Sequence, residues 1–75
     1  MTLADLEPNQ SARILALDAT HPYALRLAEL GLIKGQTLRV KRYAPLGDPV
    51  FIHLMNYDLC LRVRDARSVF VEPIA

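Results

Sequence analysis

The chain has 75 residues, 52% of them hydrophobic, with nine Lys and Arg against eight Asp and Glu for a net charge of +1. That length holds one core and buries only about 60–65% of the surface its unfolded form exposes, so a second domain is excluded and the core must be thin. The near balance of charge argues against a dedicated nucleic-acid binder, which needs a marked basic excess, and the apolar fraction excludes a disordered chain.

Thr2 reads as the cap of a single helical turn, with Asp5 three residues on in the capping-box place. Pro8 stops that turn from growing, and Asn9-Gln10 reads as a turn because Asn tolerates the left-handed conformation. Ala12 to Leu17 is the first predicted strand, with Ala12, Ile14 and Ala16 on one face. Asp18 to Thr20 ends it, and Thr20 is placed to cap a helix whose first turn holds Pro22. Tyr23, Leu27 and Leu30 share one face of this helix, with Arg26 and Glu29 as an i,i+3 pair on the other. Gly31 falls where a left-handed residue ends a helix, with Leu32 positioned to contact Leu27 in a Schellman motif. Lys34-Gly35 follows as a turn.

Three alternating runs come next, at 38–41, 50–54 and 58–63, each reading as a half-buried strand. A two-residue turn at Met55-Asn56 sets Leu54 opposite Tyr57, Ile52 opposite Leu59 and Val50 opposite Leu61, so inward residues meet inward ones. A five-residue connection over Ala44 to Asp48 sets Val40 opposite Ile52 and Leu38 opposite Leu54. Arg42 then falls inward, so the strand is expected to bulge or end there. A last strand, Val69 to Glu72, ends at Pro73. The fold class is mostly β: one domain over 1–75, a small closed barrel of about five strands. One helix lies between the first two strands, and a short helical turn opens the chain.

Cys60 is the only cysteine, so no internal disulfide is possible, and no Cys/His pair has structural-zinc spacing. Met1 to Asp5 lacks the basic flank and apolar run of a signal peptide. No apolar stretch approaches the roughly 20 residues that span a bilayer. The expectation is a cytoplasmic chain with no direct membrane insertion.

Ala44-Pro45-Leu46-Gly47-Asp48-Pro49 packs two prolines, a glycine and an aspartate into six residues, a rigid turn with little entropy left to lose. Leu46 sits at its tip, either folding back onto the barrel end or offering a docking contact. Preceded by Arg26-Leu27-Ala28-Glu29-Leu30-Gly31-Leu32 and followed by Leu59-Cys60-Leu61-Arg62, this hexapeptide resembles the FeoA family, over almost the whole chain from Leu3 to Val71. The resemblance implies an SH3-like barrel, bacterial and cytosolic, accessory to FeoB, the membrane ferrous-iron transporter with a cytosolic GTP-binding domain. Two turn positions depart from the family pattern: Asn9 stands where glycine is usual, and Lys34 where proline commonly precedes Gly35. A related module forms the C-terminal domain of iron-dependent repressors. This chain opens on Met1 without a helix-turn-helix, which favours a stand-alone protein.

Catalytic chemistry finds little footing. The three glycines, Gly31, Gly35 and Gly47, form no phosphate-binding pattern, and only His53 and Cys60 could serve as a base and nucleophile. The pairing puts both on the outward face, which does little to exclude water, so no enzyme and no resident cofactor are expected. His53, Asp58 and Cys60 share that face and could be three metal ligands. The favoured alternative is a His53–Asp58 polar pair beside an incidental thiol. His21, beside Pro22, reads as a surface residue. Arg39, Lys41 and Arg62 around Phe51 could stack and neutralise an RNA strand, or form an ordinary solvated face with Phe51 in a protein-binding patch. The sequence therefore predicts a non-enzymatic protein-interaction module of ferrous iron uptake that docks on the cytosolic part of FeoB. Pro45, Leu46, Gly47, Asp48 and Phe51 are its candidate contacts, with no nucleic acid expected. The rivals are a small RNA-binding barrel and an SH3-like module of iron-dependent transcriptional regulation.

Overall fold

Alternating apolar residues give each strand one face to bury, and the chain folds so that all five strands bury it on the same side. The computed structural model describes residues 1–74. β1 (Ser11–Leu17), β2 (Thr37–Tyr43), β3 (Val50–Leu54), β4 (Tyr57–Leu61) and β5 (Val69–Ile74) form one antiparallel sheet in the order β4-β3-β2-β1-β5. A 3-10 turn at Leu3–Asp5 precedes β1, helix α1 (Ala24–Glu29) joins β1 to β2, and helix α2 (Val63–Ala66) joins β4 to β5. The inner face carries Ile14, Val40, Ile52, Leu54, Val69 and Val71, all essentially without exposure. The segments between strands complete the core: Leu3 and Leu6 from the N-terminus, Leu27 and Leu32 from α1 and its exit, and Ala66 from α2.

The β3–β4 hairpin has the expected register, Leu54 with Tyr57, Ile52 with Leu59 and Val50 with Leu61. Met55 and Asn56 both have positive φ, 49° and 65°, as a two-residue turn matching the sheet's twist requires. Between β2 and β3, Val40 faces Ile52, and a bulge between Val40 and Arg42 turns Arg42 outward beside Phe51. The connection runs one residue longer than expected, from Ala44 to Pro49. Asn9 takes the left-handed turn, φ 70°, and donates its N–H to Val40 O at 2.7 Å.

Several expectations are corrected, the first being that the strand read as running to Val63 ends at Leu61, because Val63 opens the unpredicted helix α2. The sheet does not close, because β4 and β5 do not pair; α2 bridges their ends and packs against the N-terminal turn. A second bulge, between Ile14 and Ala16, turns Ala16 out of the core face. Helix α1 starts at Ala24 rather than at Thr20, because Thr20 gives its N–H and hydroxyl to Asp18 Oδ1 at 2.9 and 2.6 Å, closing a turn of its own. Tyr23 is consequently exposed, and Arg26 makes no ion pair with Glu29. Finally, Pro73 lies inside β5. Val71, two residues earlier, points its N–H away from β1 to Met1 O, so the N–H that proline lacks would face off the same edge.

Helix α1 ends as predicted. Gly31 has φ 105°, its N–H donates to Ala28 O at 3.0 Å, and the Leu32 N–H donates to Leu27 O at 3.1 Å. A Cβ at Gly31 would lie 2.7 Å from Met55 Sδ. Gly31→Ala therefore lowers stability by about 1 kcal/mol or more, or roughly 4–8 °C in Tm for each kcal/mol. Pairing it with Met55→Ala recovers only the steric part, and an unchanged Tm in the single variant would disprove the left-handed cap.

Tyr43 ties the N-terminal turn to β2, its hydroxyl donating to Leu6 O at 2.6 Å and to Ala4 O at 3.2 Å. Burial first, and the Asp5 charge second, raise its pKa above 10.0. The folded state thus holds this proton more tightly than the unfolded one. Its contribution is complete below pH 10 and is lost as pH rises through the raised folded value. Tyr43→Phe should cost about 0.5–1.5 kcal/mol at pH 7. Denaturant titrations of both proteins from pH 8 to 11.5 should show that penalty shrinking, and a penalty constant with pH would refute the assignment.

Candidate docking surface

The Ala44–Pro49 loop is held by its own backbone: Gly47 N–H donates to Ala44 O at 2.7 Å and Ala44 N–H to Pro49 O at 2.9 Å. Gly47, φ 91°, makes the turn. Asp48 anchors the loop to a different element, its Oδ1 accepting from Val63 N–H, the first residue of α2, at 3.0 Å. Arg62 Nη1 stands 4.0 Å from the same oxygen. So held, the loop presents Leu46 outward with 97% of its surface exposed, and the side chain does not fold back onto the sheet. Pro45 and Gly47 are exposed beside it.

Phe51 lies on the outer face of β3, half-buried, with the Arg42 guanidinium 4.1 Å above its ring. The bulge expected at Arg42 is present after Val40, and it places this cation, which the sequence did not assign to Phe51, over the ring. Farther along that face, Asp58 is engaged through both oxygens, by Lys41 Nζ at 2.8 Å and His53 Nδ1 at 2.7 Å. The hydrogen bond from Lys41, then that from His53, holds the Asp58 carboxyl below its ordinary value. Cys60 is exposed beside Phe51, as the register required. Among the described residues, no three His, Cys, Asp or Glu side chains are grouped to hold a metal ion. Of the basic residues expected around Phe51, Lys41 is occupied by Asp58, Arg62 is directed toward Asp48, and Arg39 lies opposite His53.

His21 is not the surface residue it seemed. Its side chain is only 17% exposed, and its Nε2 lies 2.9 Å from Asp65 Oδ1, joining the loop before α1 to α2. Among the described residues, no helix is long and apolar enough to cross a membrane.

Against this geometry stand three comparisons. The chain is 35% identical over all of its 75 residues to an Fe(2+) transport protein A/Fe(2+) transporter FeoB fusion protein of Porphyromonas gingivalis, of which it spans 9%. It superposes with a TM-score of 0.85 on a crystal structure of Stenotrophomonas maltophilia FeoA complexed with zinc, described as a prokaryotic SH3 domain protein. That match is 32% identical and covers 96% of this chain and 89% of the other. A manganese-dependent transcriptional repressor shares the fold alone, with a TM-score of 0.88 at 16% identity over 99% of this chain and 36% of the repressor. The FeoA domain family matches residues 1–73. With its SH3-like architecture and this match across nearly its whole length, the chain belongs to the FeoA family, a family linked to ferrous iron transport.

Proposed function

We propose that this chain is a non-enzymatic accessory protein of ferrous iron uptake that docks on the cytosolic part of a FeoB-type transporter through its Ala44–Pro49 loop. The observation that carries the reading is Leu46, almost wholly exposed at the tip of a loop fixed by its own backbone and by Asp48. Burying one leucine is worth about 1.5–3 kcal/mol, and a loop already ordered loses little freedom on docking. Pro45 and Gly47 shape the tip, Asp48 sets its angle to α2, and Phe51 with its Arg42 cover extends the surface along β3. The fused transport protein A and FeoB of the Porphyromonas relative support an association between the two kinds of chain. The RNA-binding rival is weakened by the pairing of Lys41 with Asp58, and the repressor rival rests on fold alone.

Leu46→Asp should weaken binding to the detergent-purified transporter of the same organism by about tenfold or more, a change of about 1.4 kcal/mol, and leave Tm unchanged. Unchanged affinity would remove the loop from the interface. Asp48→Ala separates the two roles of the loop. Losing the acceptor for the Val63 N–H should cost about 0.5–2 kcal/mol of stability, read as a lower Tm, whereas Asp48→Asn, which keeps an oxygen there, should lose less. Equal losses in the two variants would show that the charge, not the hydrogen bond, holds α2.

A further inference from the structure

The fold protects one edge of its sheet and leaves the other open. On β5, Thr2 bridges Phe70, Met1 O accepts from Val71 N–H, and Pro73 has no N–H to present. On β4, the two-residue turn makes Leu54 and Tyr57 a hydrogen-bonded pair. By alternation Leu59 and Leu61 also direct their backbone groups to β3, and Asp58 and Cys60 direct theirs outward. Among the described residues, no hydrogen bond reaches the backbone N–H or C=O of Asp58 or Cys60 from the open side.

A groove of about 430 Å³ runs beside this edge, between β4, α1 and α2. Leu27, Leu30, Leu59 and Leu61 supply apolar surface, and Cys60 on the open edge lines it too. Arg26, Arg62 and Arg64 also line it. Among the described residues, Arg26 and Arg64 have no carboxylate within 4 Å, and Arg62 reaches only Asp48, at 4.0 Å. The acid in the groove, Asp65, is occupied by His21. A strand edge with free donors and acceptors thus borders an apolar trough lined by three arginines against one carboxylate.

We propose that this edge takes an acidic peptide in extended conformation as a sixth strand. The peptide backbone pairs with Asp58 and Cys60, alternate apolar side chains enter the trough, and carboxylates meet Arg26 and Arg64. A second copy of this chain fits poorly, because joining two β4 edges would bring both sets of arginines together. The proposal rests on a different surface from the Leu46 loop and does not depend on that reading.

The test uses an acetylated, amidated heptapeptide of alternating glutamate and valine, its lysine–valine counterpart, and the intact chain. Under saturating acidic peptide, amide hydrogen exchange should slow about tenfold or more at Asp58 and Cys60. Affinity should fall at least about tenfold in the Arg26→Glu/Arg64→Glu double variant, whose own Tm checks its fold, and on raising salt from about 0.05 to 0.5 M. Should the double variant unfold, the exchange measurement on the unaltered chain decides. Binding without protection at those two amides, equal binding of the lysine peptide, or protection that appears with protein concentration alone would each overturn the proposal, the last by making the edge a contact between copies.

Discussion

A sheet with a single apolar face, in a chain this short, cannot fill its own concavity, and that shortage fixes nearly everything else. The strands supply the inner face, but Leu3, Leu6, Leu27, Leu32 and Ala66 must arrive from the connections. Each connection is therefore tied down by specific contacts, among them Tyr43 for the N-terminal turn, the Gly31 cap for α1, and Asp48 and His21 for α2. Burying a leucine gains about 1.5–3 kcal/mol, while ordering each residue's backbone costs about 1–2 kcal/mol. When terms that close oppose each other, single hydrogen bonds of about 1 kcal/mol hold a real share of the margin.

Features decided by neighbouring residues were legible in the sequence. The β3–β4 register follows from alternation around a two-residue turn, and the Gly31 cap follows from a helix face running out at a glycine. Features decided across the chain were not. The short helix α2 has too few residues for periodicity, and its first N–H is satisfied by Asp48 on a loop fifteen residues earlier. His21 meets Asp65 across forty-four residues, which no local pattern reports. The Ile14–Ala16 bulge stayed hidden because alanine is small enough to suit either face.

The candidate site divides the same way. Leu46 could be singled out because an apolar residue at a proline-bounded tip contradicts its local setting. What Asp48 does could not, since a turn aspartate reads as turn chemistry until its partner is seen. Phe51 was located correctly but assigned the wrong basic neighbours. The bulge at Arg42 was foreseeable, but not that it would lay the guanidinium over Phe51, and two of the three charges expected there, Lys41 and Arg62, turn toward Asp58 and Asp48.

Both outward-looking surfaces converge on α2. Its first N–H anchors the Leu46 loop through Asp48, and its Arg64 lies along the groove beside β4. Occupying one surface can influence the other through Phe51 and Cys60, paired across β3 and β4, or through this four-residue helix by way of the hydrogen bond from Val63 N–H to Asp48. Such a bond contributes about 0.5–1.5 kcal/mol net, which bounds any coupling through it at roughly tenfold. His21, bonded to Asp65 on the same helix, restrains α2 further from the side of α1. A domain with so thin a core has little material from which to build a large conformational switch. The two proposed docking surfaces are then preformed parts of one small frame.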